Sequence, residues 1–113
     1  MVCRHYTDVP GIDVDMEGAR SVTKRVLAGP DEGTPNFAMR LFEVGAGGRT
    51  PNHVHEWEHE VFVLEGEGVA ESETGERRIG PGSTLYVPPG ERHGFVNAGN
   101  GTLRFICVVP LIE

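Results

Sequence analysis

Short hydrophobic runs separated by glycine and proline dominate the pattern along the chain. Sixteen glycines and eight prolines among 113 residues leave little room for a helix of average length. Between these breaks lie segments rich in β-branched and aromatic residues, namely NFAMRLFEV, HEVFVLEG, GVAESE, STLYVP, HGFVN and TLRFICVVP. Several short strands at such spacing predict an all-β sandwich or barrel.

One segment is compatible with two kinds of secondary structure. Residues 13–28, DVDMEGARSVTKRVLA, have a pattern compatible with a helix, while their later part, SVTKRVLA, fits a strand about equally well. No internal repeat, low-complexity tract or linker divides the chain. We therefore expect a single domain over residues 1–113.

The charge balance bears on partners and location. A formal net charge of −7 disfavours binding to nucleic acid and to anionic membrane surfaces, because phosphate contacts need clustered Lys and Arg.

No apolar run approaches the roughly 20 residues that cross a bilayer, and the N-terminus lacks the apolar stretch of a signal peptide. Cys3 and Cys107 show no paired spacing, which favours free thiols in a reducing compartment. We expect a cytoplasmic protein.

The stretch HVHEWEHE, residues 53–60, holds three of the five histidines. In an extended segment alternate side chains share a face, so His53 and His55 point the same way. If the segment continued unbroken, His59 would lie roughly 13 Å beyond His55, too far for both imidazoles to bind one ion. This predicts a turn at residues 56–58, of hairpin-loop length, that returns His59 beside His55.

Strand parity then separates two candidates for the third ligand. In a strand over residues 59–65, Val61 and Val63 share the face of His59, while Glu60 points to the other side. The alternation favours His59 over Glu60.

A fourth histidine, His93, follows a rigid Pro-Pro-Gly turn at residues 88–90 and enters the strand HGFVN. Four neutral imidazoles suit manganese, iron, cobalt, nickel, copper or zinc better than calcium or magnesium, which prefer oxygen ligands. His5 lies near the N-terminus, and we do not expect it to be a ligand.

These spacings resemble the two motifs of the cupin family. The first motif, G-x5-H-x-H-x3or4-E-x6-G, is matched over residues 47–66 by Gly47, His53, His55 and Gly66, with His59 in the place of the glutamate. Aligning Glu60 there instead leaves one residue too few before Gly66. The second motif, G-x5-P-x-G-x2-H-x3-N, is matched over residues 82–97 by Gly82, Pro88, Gly90, His93 and Asn97.

The chain looks most like small single-domain cupins that bind manganese through four histidines. That resemblance implies a jelly-roll β-barrel with a metal inside one end, and a homodimer formed by packing and exchange of N-terminal strands. The implied ligands are His53, His55, His59 and His93, with manganese first and iron, copper, nickel, cobalt or zinc as alternatives. Four histidines leave the ion's charge unneutralised, which attracts anionic or chelating ligands, and open coordination positions remain for them.

Several residues around the motifs have two possible roles. The glutamates at 56, 58 and 60 form a solvated charge run or hydrogen-bond an imidazole, and Trp57 serves packing or an interface rather than a substrate platform. Cys107 shares a strand face with Phe105, so its thiol is either a cavity group near the metal or an inert buried cysteine. The further candidates for lining the cavity are Arg40, Phe42, Tyr86, Phe95 and Phe105.

The motifs contain no general acid or base beyond the glutamates, which favours chemistry performed by the metal itself. The leading hypothesis is a manganese- or iron-dependent oxidoreductase of dioxygenase or oxidase type acting on a small organic molecule. The alternatives are a non-catalytic binder of a small metabolite and an isomerase or epimerase.

Overall fold

The computed structural model describes residues 1–111, and this part of the chain contains nine strands and no α-helix. The strands are β1 (Ile12–Asp13), β2 (Arg20–Ala28), β3 (Phe37–Arg49), β4 (His59–Glu65), β5 (Gly68–Ser72), β6 (Gly75–Ile79), β7 (Thr84–Val87), β8 (His93–Asn97) and β9 (Leu103–Pro110). Two single 3-10 turns lie at Tyr6–Asp8 and Pro30–Glu32. Within residues 1–111, no helix has the length and apolar character to cross a membrane. The all-β prediction is confirmed.

All strand pairs are antiparallel, in the order β6-β5-β8-β3-β9-β4-β7, with β2 on β3 and β1 on β2. The long strand β3 pairs with β2 and β9 along most of its length, and with β8 only where Arg49 faces Val96. It thus carries the chain from one half of the sheet to the other. The sheet curls so that β5, β6 and β8 face β4 and β9, which is the jelly-roll arrangement of a single domain.

The core lies between these two halves. Phe95 of β8 packs on Phe105 of β9 with ring centroids 4.9 Å apart. Along β9 buried and half-buried residues alternate, so Leu103, Phe105, Cys107 and Val109 share the inner face. The shared face that the sequence predicted for Phe105 and Cys107 is confirmed. The thiol of Cys107 therefore points into the barrel.

Residues 13–28, for which the sequence allowed a helix or a strand, contain the strand β2 and no α-helix. Within β2, Val22 is buried against the core and pairs with Val44 of β3. Just before it, Ser21 has a φ of 56° at a register shift, which marks a bulge. Burial of Val22 decides in favour of the strand. Strand β6 was not predicted, because its first four residues, GERR, are exposed and carry no apolar alternation.

The last glycine of the first motif has a structural role. Gly66 adopts a φ of 91° at the turn between β4 and β5. A Cβ atom at this position would collide with the carbonyl oxygen of Thr102, where the chain enters β9. Only glycine satisfies both the left-handed backbone and the close approach.

Candidate metal centre

His53 and His93 are held together by the backbone. The amide of each residue donates to the carbonyl oxygen of the other, both at 2.9 Å, in an isolated antiparallel bridge. Such a pair places two side chains directly opposite each other on one face. Because His93 opens β8, the bridge fixes His53 to that half of the barrel.

His55 is positioned by the second motif and by Trp57. The amide of Gly90, a residue with a φ of 83°, donates to the carbonyl oxygen of His55 at 2.7 Å. The Trp57 ring stacks on the His55 imidazole with centroids 4.4 Å apart and an interplanar angle of 8°. Trp57 therefore packs against a histidine of the site itself. The sequence predicted packing or an interface for Trp57 but did not predict its contact with His55.

His59 reaches the cluster from the other half of the barrel. The chain bends at Glu56 and Trp57, and β4 then begins at His59, which brings its ring to 5.1 Å from that of His55. The predicted turn is present, but the predicted hairpin is wrong. His53 pairs with β8, whereas β4 pairs with β7 and β9, so the turn joins the two halves rather than two neighbouring strands.

The four imidazoles converge on one region. Ligand nitrogens of His53, His55 and His93 all lie within 4.8 Å of one another, close enough to hold a metal ion. His59 stands beside this trio with its ring centroid 4.8 Å from that of His93. Parity predicted the inward direction correctly, since His59 is buried and Glu60 is exposed.

Burial favours the neutral form of His53, His55 and His59. Desolvation, followed by the charge of His55, lowers the pKa of His53 to about 4. Desolvation and the charge of His93 lower the pKa of His59 to about 3, and the same two causes lower that of His55. A neutral imidazole keeps the lone pair that binds a metal.

The unpaired nitrogens of the cluster fit a metal ion. His93 Nδ1 lies 2.9 Å from the carbonyl oxygen of Glu91. A carbonyl only accepts, so Nδ1 donates this hydrogen bond, and Nε2 is the nitrogen left to face a metal ion. Two further nitrogens, His53 Nδ1 and His59 Nε2, are buried without a hydrogen-bond partner among the described residues. Buried polar atoms are rarely left unpaired, and a coordinated cation would satisfy them.

The histidines form part of the wall of a cavity of about 180 Å³. Its wall is otherwise mainly apolar and aromatic, and no carboxylate from the described residues lines it. The lining residues are Val14, Met16, Val22, Lys24, Arg40, Phe42, Thr50, Pro51, His53, His55, Trp57, His59, His93, Phe95, Phe105 and Cys107.

Four of the five predicted cavity residues are confirmed, namely Arg40, Phe42, Phe95 and Phe105. Tyr86 is a correction. It lies on β7 opposite Glu60, and 61% of it is exposed on the outer surface, because it has the opposite parity to the inward Val87.

The remaining sequence candidates lie outside the cluster. All three glutamates of the stretch 53–60 are exposed, and none hydrogen-bonds an imidazole within the described part of the chain. His5 is exposed, its side chain hydrogen-bonds Thr7, and it is not part of the cavity wall. Cys107 is a cavity residue, with Sγ 3.0 Å from His59 Nδ1. The two cysteines are not joined to each other, and both thiols are free.

Sequence reasoning missed the contribution of the N-terminal third. Val14 and Met16 line the cavity from the segment between β1 and β2, and Lys24 lines it from β2. The signal for Lys24 was present in its period-two spacing from Val22, which places both side chains on one face. The competing helix prediction for this segment obscured that spacing.

The cupin domain family model matches residues 40–109 of this chain. The structure is similar to that of the polyketide cyclase RemF from Streptomyces resistomycificus, with a TM-score of 0.92 and 41% identity. That alignment covers 97% of this chain and 79% of the cyclase.

Two curated relatives are named for a different activity or for a ligand. The 1-methylthio-D-xylulose 5-phosphate methylsulfurylase of Rhodospirillum rubrum is 32% identical over 106 residues, covering 88% of this chain and 67% of the relative. An oxalate-binding protein of Thermotoga maritima is 30% identical over 116 residues, covering 99% of this chain and 95% of the relative.

Proposed function

Since this chain belongs to the cupin family, we propose that it is a metal-dependent cyclase that closes a ring in a polycarbonyl substrate of the polyketide type. The carrying observation is its likeness to the polyketide cyclase RemF, at 41% identity over 97% of the chain. The ligands in this proposal are His53, His55, His59 and His93, and the preferred ion is manganese. Iron, copper, nickel, cobalt and zinc are the alternatives, because imidazole ligands suit all of them.

The proposed reaction forms a carbon–carbon bond without changing the overall oxidation state of the substrate. A carbon between two carbonyl groups loses a proton and bonds to a third carbonyl carbon, whose oxygen takes up a proton, and water then leaves. A bound divalent ion would polarise the carbonyl oxygens and so acidify the carbon–hydrogen bonds between them.

The chain itself would hold the substrate and exclude water. Phe42 and Phe105 stack with ring centroids 5.4 Å apart, and Phe95 packs on Phe105, so the cavity has an aromatic wall for a flat conjugated substrate. The cavity of about 180 Å³ is smaller than the roughly 300–1,000 Å³ of drug-sized sites. It therefore fits the reacting end of a polyketide, while the rest of the molecule lies at the mouth beside Met16, which is 49% exposed.

The second candidate function is a dioxygenase or oxidase acting on a small organic molecule. The observation that favours it is the absence of any carboxylate on the cavity wall within residues 1–111, which leaves the metal as the main source of chemistry. Open coordination positions beside four histidine ligands would accept either oxygen or substrate.

Oxygen distinguishes the two candidates. Metal-loaded protein is incubated with a linear aromatic poly-β-ketone under nitrogen and under air, and the products are analysed by mass spectrometry. A cyclase gives the same product, with the mass of water lost, in both atmospheres, and the His53→Ala variant gives none. Turnover that requires air would favour the oxidoreductase. Isomerised substrate of unchanged mass would identify an isomerase, and saturable binding without turnover would identify a metabolite-binding protein.

We also propose that the chain forms the homodimer that the family resemblance implies, and that the outer face of β9, β4 and β7 takes part in its interface in addition to the N-terminal strands. Phe62 and Leu64 of β4 and Tyr86 of β7 are 46%, 44% and 61% exposed there, and Ile106 of β9 pairs with Phe62. Contiguous exposed apolar side chains of this kind are typical of protein–protein interfaces. A dimer in light scattering that dissociates in Phe62→Glu supports this assembly. A wild-type monomer at high concentration contradicts it.

A further inference from the structure

Two half-buried cations in this protein lack the counter-charge that the others have. Of the five half-buried basic residues, Arg25, Arg49 and Arg104 each form an ion pair with a carboxylate. The other two, Lys24 and Arg40, form no ion pair among residues 1–111, and both line the cavity that contains the histidines. Charged groups that are removed from water normally need a partner.

Arg40 has an unused donor inside the barrel. Its guanidinium lies over the Phe42 ring, 5.0 Å from the centroid, and its Nη2 donates to Cys107 Sγ at 3.4 Å. Another donor of the same guanidinium, Nε, is buried and has no hydrogen-bond partner among the described residues. A thiol is a weak acceptor, so the guanidinium is left with most of its hydrogen-bonding capacity free.

Lys24 lies within reach of the same point. In the pairing of β2 with β3, Lys24 faces Phe42 and Val26 faces Arg40, so Lys24 and Arg40 occupy diagonal positions on one sheet face. Such positions are about 7–8 Å apart, close enough for two long side chains to meet on one ligand. The two cations therefore form one positively charged corner of the cavity.

We propose that Arg40, assisted by Lys24, binds an anionic oxygen group of the substrate, a carboxylate or a phosphate, while the rest of the substrate faces the histidines. A guanidinium fork matches both groups in shape and charge, and the surrounding aromatic wall strengthens the attraction by excluding water. This inference rests on the proposed function only in taking the histidine cavity as the substrate site. It adds the substrate's charge, which neither the metal centre nor the cyclase reaction specifies.

The test uses equilibrium binding to metal-free protein, so that neither metal nor turnover contributes. Metal is removed with a chelator followed by dialysis, and the fluorescence of Trp57, the single tryptophan and a cavity residue, reports binding. The probes are benzoate, its neutral analogue benzamide, and inorganic phosphate. We expect at least one of the two anions to bind saturably, and benzamide to bind at least about tenfold more weakly than benzoate if benzoate is that anion.

Variants assign the binding to the two cations. Arg40→Gln should weaken anion binding by about tenfold or more, and Lys24→Gln by a smaller factor, because the arginine supplies the fork. Arg40→Lys, which keeps the charge but not the fork, should fall between wild type and Arg40→Gln. Arg77→Gln is the matched control, since Arg77 is exposed on β6 outside this cavity.

Two results would overturn the proposal: no saturable binding of either anion to wild type, or unchanged binding in a folded Arg40→Gln variant. Circular dichroism establishes that each variant is folded, and if Arg40→Gln does not fold, Arg40→Lys and Lys24→Gln decide the question by the same comparison. Loss of anion binding in these variants would support the inference even if the metal-loaded protein closed no ring. Conversely, unchanged anion binding in a folded Arg40→Gln variant, beside normal cyclase turnover by the wild type, would leave the proposed function intact and refute the inference.

Discussion

The sulfur of Cys107 lies 3.0 Å from Nδ1 of His59, and both residues are buried, with 2% and 6% of their surfaces exposed. This contact engages Nδ1 and leaves the other nitrogen of the imidazole, Nε2, which is buried without a hydrogen-bond partner among the described residues, available to bind a metal ion. On its other side the sulfur accepts from Arg40 Nη2 at 3.4 Å. Cys107 thus positions a candidate ligand and is more than core packing.

Replacing Cys107 with alanine should weaken metal binding. Removing the partner of a metal-binding imidazole typically lowers affinity about 10–100-fold, because the ring loses its fixed orientation. Cys107→Ser keeps a polar atom near Nδ1 and should lose less. Affinity is measured by competition with a coloured chelator, and Cys3→Ala, at an exposed thiol, is the control. Equal affinities for Cys107→Ala and wild type would mean that the contact has no orienting role.

The contribution of His59 to the metal site can be measured by stoichiometry. If it is the fourth ligand, elemental analysis of protein purified without added metal should show clearly less metal in His59→Ala than in wild type. His5→Ala should match wild type, because the exposed side chain of His5 hydrogen-bonds Thr7 and is not part of the cavity wall. Unchanged metal content in His59→Ala would leave His53, His55 and His93, whose nitrogens lie within 4.8 Å of one another, as the complete set.

The local parts of the site could be predicted from sequence because they depend on strand parity. Alternation along residues 59–65 places His59 inside and Glu60 outside, and the structure agrees. Alternation along β9 likewise predicted that Cys107 and Phe105 share one face, and in the structure that face is buried. These inferences need only the direction of neighbouring side chains within one strand.

The non-local parts could not be predicted in this way. Nothing near His53 in sequence specifies that its backbone pairs with His93, forty positions later, because that bridge exists only after β3 has carried the chain across the barrel. Tyr86 was misplaced for a related reason. A short strand such as β7 offers two apolar faces, and only its pairing with Glu60 of β4 decides which of them is outside.

The metal-free protein should lose stability as the pH falls below about 6.5. Unfolding returns His53 and His59 to the usual imidazole pKa near 6.5, whereas burial in the fold, together with neighbouring histidines, lowers these values to about 4 and about 3. Between these limits the unfolded chain binds protons that the folded chain does not, so stability falls with decreasing pH. Above pH 6.5 both states are neutral and this effect vanishes.

Urea unfolding of metal-free protein at pH 7.5, 6 and 5 measures this slope. His53→Gln and His59→Gln should each make the dependence shallower, since the variant side chain does not titrate. His5→Gln is the control, because His5 is exposed and lies outside the cavity. A slope that is the same in all four proteins would show that the cluster does not control stability in this range.

The outer side of β3 carries an ion-pair network whose members should differ sharply in their effect on stability. Glu43 is 9% exposed and accepts from Arg25 Nε at 2.8 Å and from Arg104 Nε at 2.7 Å. Burial acts to raise the pKa of Glu43, but the two guanidinium groups outweigh it and lower the pKa below its usual value, so the carboxylate is charged at neutral pH. Glu43→Gln leaves the half-buried Arg25 without a counter-charge and Arg104 with only the exposed Glu65, and it should lower the free energy of unfolding by about 3 kcal/mol. Glu65→Gln is a matched control, because Glu65 also pairs with Arg104, at 2.8 Å, but its side chain is 58% exposed and should contribute at most about 1 kcal/mol. Urea denaturation at pH 7 compares the two variants, and similar losses in both would mean that burial of Glu43 adds nothing to its ion pairs.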